Sequence, residues 1–209
     1  MELSHVNFKG ILKDFTYKTD AKGLGILGPS GAGKTTLLRI LCGLEKAEGQ
    51  VEKIKASMVF QEPRLIPWLS AEENLAMVMG KDKAIKWLKI MDLENDKDKR
   101  PKELSGGMCQ RVCLARALAC PGILVLDEPF QGLDEGRKEL IKNLISKREE
   151  LIMVSHDIKS AIDLCDEIIL VDGPPLSIKA TYRTSYNNLQ EILERELKNL
   201  ILEKETDNL

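Results

Sequence analysis

The chain has 209 residues, 43% hydrophobic and 31% charged, with 31 Lys and Arg against 33 Asp and Glu for a formal net charge of −2. That length supports a real core in one α/β domain, and the near-balance of charge leaves no basic surface to announce a nucleic-acid partner. The apolar runs are strand-length, far too short to span a bilayer, and Met1-Glu2-Leu3-Ser4-His5 lacks the pattern of a secretory signal, so any membrane role is expected to be peripheral.

Leu3 to Phe8 alternates enough for an edge strand, Phe8-Lys9-Gly10 reads as a turn, and Ile11 to Tyr17 as a second strand. Leu24-Gly25-Ile26-Leu27 is a buried strand. It runs into Gly28-Pro29-Ser30-Gly31-Ala32-Gly33-Lys34-Thr35-Thr36, and a helix follows with Leu37, Leu38, Ile40 and Leu41. Strand, glycine-rich turn and helix in this order form a P-loop. Gly31 and Gly33 let the backbone curl so that successive N–H groups form an anion nest, and the helix N-terminus behind them adds unpaired N–H groups. Lys34 reaches the β- and γ-phosphates of a nucleoside triphosphate, and the Thr35 hydroxyl suits Mg²⁺.

Short strands are expected near Gln50–Lys53 and Ala56–Phe60, the latter ending at Gln61. A proline-bounded loop carries Leu65, Ile66 and Trp68. Ser70-Ala71-Glu72-Glu73 is a capping box that starts a helix running to about Met79. A second helix from about Asp82 places Ile85, Leu88 and Met91 on one face, and Asp92 to Lys102 reads as a solvated connection. Leu104-Ser105-Gly106-Gly107 opens another helix, through Arg111 and Leu118, closed by Pro121-Gly122. Ile123 to Leu126 is a strand buried on both faces. Next come a helix over Asp134 to Glu149 with Leu140, Ile141, Leu144 and Ile145 inward, a strand over Leu151 to Val154, a short helix and a strand over Glu167 to Val171. After the turn Asp172-Gly173-Pro174-Pro175, an amphipathic helix of roughly residues 187–204 gathers Leu189, Ile192, Leu193, Leu197, Leu200 and Ile201.

Alternating strands and helices predict an α/β fold with a central, mainly parallel sheet, a small N-terminal antiparallel β subdomain and a helical subdomain over roughly residues 70–119, all within a single domain 1–209. Sites in such sheets lie at strand C-terminal ends. Gln61, Asp127 and His156 each follow a strand there, as the P-loop does, which predicts their convergence on one phosphate. Asp127 and the adjacent Glu128 point to different sides of a strand end, so one can face a metal and the other an attacking water. Ser105-Gly106-Gly107 offers a second helix N-terminus, readable as an anion site or as a plain cap. Cys42, Cys109, Cys113, Cys120 and Cys165 form no Cys-x-x-Cys pair. Cys109 and Cys113 share a helix face suited to a metal, but buried small apolar residues are the better reading.

Leu104-Ser-Gly-Gly-Met-Cys-Gln-Arg111 resembles the signature of ABC-type ATPases, the nucleotide-binding subunits of ABC transporters. Ile123-Leu-Val-Leu-Asp-Glu-Pro-Phe130 resembles their Walker B strand, Gly132-Leu133-Asp134 their D-loop, Gln61 the Q-loop residue and His156 the switch histidine. The resemblance implies a P-loop NTPase core that binds ATP and Mg²⁺ and hydrolyses ATP. It assigns Asp127, with Thr35 and Gln61, to the metal, Glu128 to polarising water as general base, and His156 to sensing the γ-phosphate, where the alternative is a helix cap. It implies a head-to-tail homodimer in which Ser105, Gly106 and Gly107 complete the partner's site. Phe8 stands where the family places an aromatic that stacks on adenine, the alternative being a core Phe; His5 is read as structural.

Gln61 to Trp68 is similar to the Q-loop region of importer ATPases for nitrate, sulfonates or taurine. That likeness implies permease subunits as transmembrane partners, a solute-binding protein, and a place on the cytoplasmic face of the cell membrane. A soluble ABC ATPase acting on a protein assembly or nucleic acid, or the ATPase of an exporter, are the alternatives. Two departures stand out: Cys109 occupies a signature position usually basic in relatives, and the usual Gly-Glu before the P-loop strand reads Lys22-Gly23. No regulatory domain is expected.

Overall fold

The computed structural model describes residues 1–207, with side chains through residue 203; Asn208 and Leu209, the end of the expected domain 1–209, lie outside the described residues. In chain order the elements are β1 (Glu2–Phe8), β2 (Leu12–Lys18), β3 (Gly23–Leu27), α1 (Lys34–Leu41), β4 (Glu48–Val51), β5 (Ala56–Val59), α2 (Ala71–Met79), α3 (Lys81–Ile90), α4 (Gly106–Leu118), β6 (Ile123–Asp127), α5 (Glu135–Ile145), β7 (Leu151–Val154), α6 (Ile158–Leu164), β8 (Glu167–Asp172), β9 (Ser177–Arg183) and α7 (Leu189–Asp207). The chain divides into two units, Met1–Ala56 with Glu149–Leu209, and Ser57–Arg148.

In the first unit, β3 is buried at every residue and lies between β7 and β8, both parallel to it, with Ile26 opposite Val154 on one side and Ile169 on the other. Strands covered on both faces are mostly apolar, which is why Leu24–Leu27, Leu151–Val154 and Ile168–Val171 read as hydrophobic runs; Glu167, buried at the start of β8, is paired with Tyr17 and Arg183. β8 turns back antiparallel into β9. No strand is expected at Ser177–Arg183 from the sequence pattern: only half-buried Ile178, Ala180 and Tyr182 alternate there with exposed polar residues, a one-faced edge pattern beside a double proline. α7 buries Leu189, Leu193, Leu197 and Leu200 but turns Ile201 outward, against expectation.

The separate antiparallel sheet has the order β2-β1-β4. β1 is therefore its middle strand and not an edge, because β4 pairs with it at Leu3–Val51 and Ser4–Gln50. Irregular register around Val6 leaves His5 at φ 52°, exposed, with Nδ1 2.7 Å from Asp14 Oδ1. This pair ties a bulge, which fits the structural reading of His5.

In the second unit the capping box forms as spaced: Ser70 Oγ accepts from Glu73 N at 3.2 Å, and Glu73 Oε2 from Ser70 N at 2.7 Å. Asn74, one turn on, is fully buried and ties down the preceding loop. Its amide accepts from Ile66 N at 2.8 Å and donates to the carbonyls of Ile66, Leu69 and Ser70 at 3.0–3.2 Å. α3 buries Ala84 and Leu88, with Met91 just beyond it, whereas Ile85 lies on its exposed side. The stretch from Asp92 to Lys102 is more than a solvated connection. It holds 3₁₀ turns at Glu94–Asp96 and Pro101–Glu103, buries Leu93, and offers the Lys99 and Lys97 carbonyls to the otherwise unpaired N–H groups of Ala71 and Glu72, each at 2.9 Å. β6 is buried from Leu124 to Asp127, with β5 beside it. α5 ends at Ile145, short of Glu149, and turns Leu140 outward while Ile141 and Ile145 are buried.

Candidate nucleotide site

The first unit carries the P-loop. Gly28 packs so tightly that a Cβ there would meet the Val171 carbonyl oxygen at 2.3 Å, which excludes any larger residue. Gly31 and Gly33 have φ of 76° and 104°, a region that side-chain-bearing residues rarely adopt. Pro29, Ala32 and Lys34 are buried, whereas Ser30, Gly31 and Thr35 face outward and Gly33 and Thr36 are half-buried. α1 begins at Lys34 with no side chain capping its N-terminus and no acidic residue in its first turn. An uncapped, acid-free helix start behind a glycine nest suits a polyphosphate. Lys34 is 6% exposed and its ammonium donates to the Gly28 and Pro29 carbonyls at 2.7 and 2.8 Å, folding over the loop it serves.

His156 follows β7 as the P-loop follows β3, and these strands are parallel neighbours, so both emerge at one sheet end. It is exposed. The cap of α6 is Asp157, whose carboxylate accepts from Ser160 N at 3.0 Å and Ser160 Oγ at 2.8 Å; His156 is spared that role. Phe8 ends β1 half-exposed, with the Lys9 ammonium 4.9 Å from its ring centroid, beside a hollow of about 350 Å³ that Lys13, Lys46 and Glu48 also line. The turn after Phe8 is anchored through Ile11. Its Cγ2 lies 2.7 Å from where a Cβ on Gly33 would stand, and its carbonyl accepts from Leu176 N at 2.7 Å. Nothing in the sequence marks Ile11 and Leu176 as neighbours of the P-loop, since both contacts are long-range.

The second unit carries the other motifs. Asp127 closes β6 at 1% exposure and the next residue, Glu128, has φ 49°. A non-glycine residue in this region is uncommon and marks a segment held by its surroundings. Gln61 is exposed just past β5, and the turn after it is braced twice. The Arg64 guanidinium sits 3.9 Å over the Phe60 ring, and Arg116 of α4 donates to the Arg64 carbonyl at 2.6 Å. Ser105 is the N-cap of α4, its Oγ accepting from Met108 N at 3.2 Å. That uses an oxygen lone pair and leaves the hydroxyl proton to donate to an anion. Ser105 and Gly106 are exposed; Gly107 packs against the loop after β6, where its Cβ would come 2.5 Å from the Gly132 carbonyl oxygen. Asp134 caps α5, accepting from Arg137 N at 3.0 Å, and this bond, with the Arg137 guanidinium, holds its carboxyl below the usual range. Asn74 and Arg116 are side chains here that motif reading passes over, and Gln110 is one that the signature includes but leaves without a role. The signal available for Asn74 was a poor helix former just after a capping box, where local backbone bonding explains it.

Burial raises the thiol pKa of Cys42 to about 11 and of Cys165 to about 12, and raises Cys109 and Cys113 as well, so these thiols are weak nucleophiles that serve as small apolar groups. Among the described residues no three His, Cys, Asp or Glu side chains gather where they could hold a metal. None of the helices among them is long and apolar enough to cross a membrane.

The sequence profile of the ABC transporter family matches residues 14–131. The aliphatic sulfonates import ATP-binding protein SsuB of Bacillus cereus is 37% identical over 94% of this chain and 87% of its own length. SsuB 2 of Pseudomonas syringae pv. tomato is 40% identical over 74% of this chain and 72% of its own. A dimeric ATP-binding cassette solved in a post-hydrolysis state with ADP and Pi matches at TM-score 0.78 and 28% identity, covering 88% of this chain and 99% of the other. An ATP-binding subunit of an ABC transporter, at TM-score 0.76 and 21% identity over 97% of this chain, repeats the fold. Glycine nest, signature helix and buried carboxylate strand thus occur in a chain of matching fold and sequence: it belongs to the ABC transporter ATP-binding family, as an ATP-binding and ATP-hydrolysing cassette.

Proposed function

We propose that this chain is a single ATPase domain that powers uptake of an organic sulfonate or a related small anion, working as a head-to-tail homodimer bound to permease subunits at the cytoplasmic face of the membrane and fed by a solute-binding protein. The observation that carries this reading is its identity with aliphatic sulfonates import ATP-binding proteins, 37% over 94% of the chain. The loop after Gln61 adds support. Trp68 is 71% exposed although Asn74 fastens the loop around it, and a large apolar side chain held in the open suits a docking contact.

In this reading the P-loop N–H groups and Lys34 hold the β- and γ-phosphates, Phe8 stacks on adenine, and His156 contacts the γ-phosphate. Ser105, Gly106 and Gly107 do their work in the partner's site. Thr35, Asp127 and Gln61 would hold Mg²⁺ through hydroxyl, carboxylate and amide oxygens, the hard donors that ion takes. The ion would supply neutralisation of the phosphate charge. Glu128 accepts a proton from the attacking water as its oxygen bonds to the γ-phosphorus and the bond to the β-phosphate oxygen breaks, releasing ADP and Pi. Catalysis of this kind is positioning plus charge neutralisation.

The test is purification of the tagged protein from gently solubilised membranes, followed by ATP-driven uptake in vesicles. A polytopic subunit should co-purify, less of it with Trp68→Ala, and the reconstituted complex should accumulate an aliphatic sulfonate. Soluble partners alone would end the transport reading; a permease complex that hydrolyses ATP but ignores sulfonates would end the solute assignment.

A further inference from the structure

Glu128 is held in a conformation that its own chemistry resists. Its φ is 49°, and it precedes Pro129, whose ring restricts the backbone of the residue before it. β6 fixes the chain on the N-terminal side by burial through Asp127. On the other side, two residues one turn apart on α4 grip the segment that follows. Gly107 packs its backbone against Gly132, and Gln110 Nε2 donates to the Pro129 carbonyl at 3.4 Å. Positions three apart share a helix face, so these form one surface, with Glu128 at the near edge of the segment they hold.

Gln110 is an expensive choice for that surface. It is 2% exposed on a helix that also buries Cys109, Val112, Cys113 and Leu114, and among the described residues its Oε1 has no hydrogen-bond partner. The orientation of the amide follows from chemistry, since a proline carbonyl can only accept and must face the NH₂ end. A leucine of similar volume would remove the unsatisfied oxygen but also the donor to the Pro129 carbonyl, two effects that oppose each other, so packing alone gives no reason for an amide. We infer that Gln110 is a positioning residue for hydrolysis: by holding the Pro129 carbonyl it keeps the backbone of Glu128 in its left-handed conformation and the carboxylate aimed. The inference rests on the reading of Glu128 as general base. Gln110 itself touches neither nucleotide nor water in this role.

The experiment compares Gln110→Leu, and Gln110→Met as a more adaptable second variant, with the unaltered protein in ATPase kinetics, nucleotide binding and thermal denaturation. The expected result is a kcat lowered by about tenfold, the scale on which small misplacements of a catalytic group act, with KM and ATP affinity within about twofold and a Tm little changed, the lost donor offsetting the removed oxygen. A structural role predicts the opposite pairing, a lower Tm with turnover intact. The inference is overturned if either folded variant keeps kcat within about twofold, or if lost turnover appears only together with a lower Tm. Glu128→Gln, run alongside, separates the two layers: if it turns over normally the base assignment fails, and if it is inactive while Gln110→Leu is not, the positioning role fails alone.

Discussion

Gly106 and Gly107 stand side by side at the start of α4, and the structure predicts that alanine has opposite effects at the two. A Cβ at Gly106 meets nothing within 4 Å, whereas one at Gly107 meets the Gly132 carbonyl oxygen at 2.5 Å, about 1 Å inside the separation at which non-bonded atoms settle. Gly106→Ala should therefore stabilise by about 0.5–1 kcal/mol, because it narrows the unfolded ensemble and favours the helix. Gly107→Ala has that same benefit, but the clash is with backbone rather than a pliable side-chain tip. Either the first turn of α4 or the turn through Gly132 must retreat, and overpacking of this kind costs about 1–3 kcal/mol. The net separation between the two variants is about 2 kcal/mol, or roughly 4–8 °C in Tm for a chain of this size. Calorimetric or circular-dichroism melting without nucleotide measures it, with urea midpoints as a check on the sign. If Gly107→Ala melts with Gly106→Ala or above it, the close approach of α4 to the loop after β6 is wrong, and with it half of the grip assigned to that helix face.

Glu128→Gln should abolish turnover while retaining ATP binding, since an amide keeps the shape but accepts a proton far less readily; single-turnover assays with bound-nucleotide counting decide this, and normal hydrolysis would refute the base assignment. Tyr17 donates its hydroxyl to Glu167, and burial together with that carboxylate pushes the phenol pKa well above its ordinary value of about 10. Because the folded pKa is raised, the stability this group contributes is complete below about pH 10 and is lost as pH climbs through the folded pKa. Denaturant titrations at about pH 9 and pH 11 should show a steeper loss for the native protein than for Tyr17→Phe, and equal losses would remove Tyr17 from the account.

The local signals were strong wherever one short segment carried both the pattern and its cause. The capping box at Ser70 and Glu73, the positive φ of Gly31 and Gly33, and the burial of Leu124 to Leu126 follow from spacing and composition. What escaped was decided elsewhere in the chain. β1 looks like an edge until β4 pairs with it, β9 takes its place only because β8 offers a partner, and Ile85, Leu140 and Ile201 face outward because neighbouring elements cover other parts of their helices.

By itself the sequence determined the glycine nest with its lysine, the carboxylate pair after an apolar strand, the signature serine and glycines, and hence the ATPase family. These depend on residues a few positions apart, where backbone geometry leaves little freedom. Only the tertiary structure decided what holds them. Ile11 reaches Gly33 from the β1–β2 turn, Asn74 fastens the loop around Trp68, Arg116 braces the Gln61 turn, and Gln110 holds the carbonyl after Glu128. Several of these contacts join residues far apart in the chain, and each arises only once side chains compete for one close-packed volume, which no spacing rule encodes.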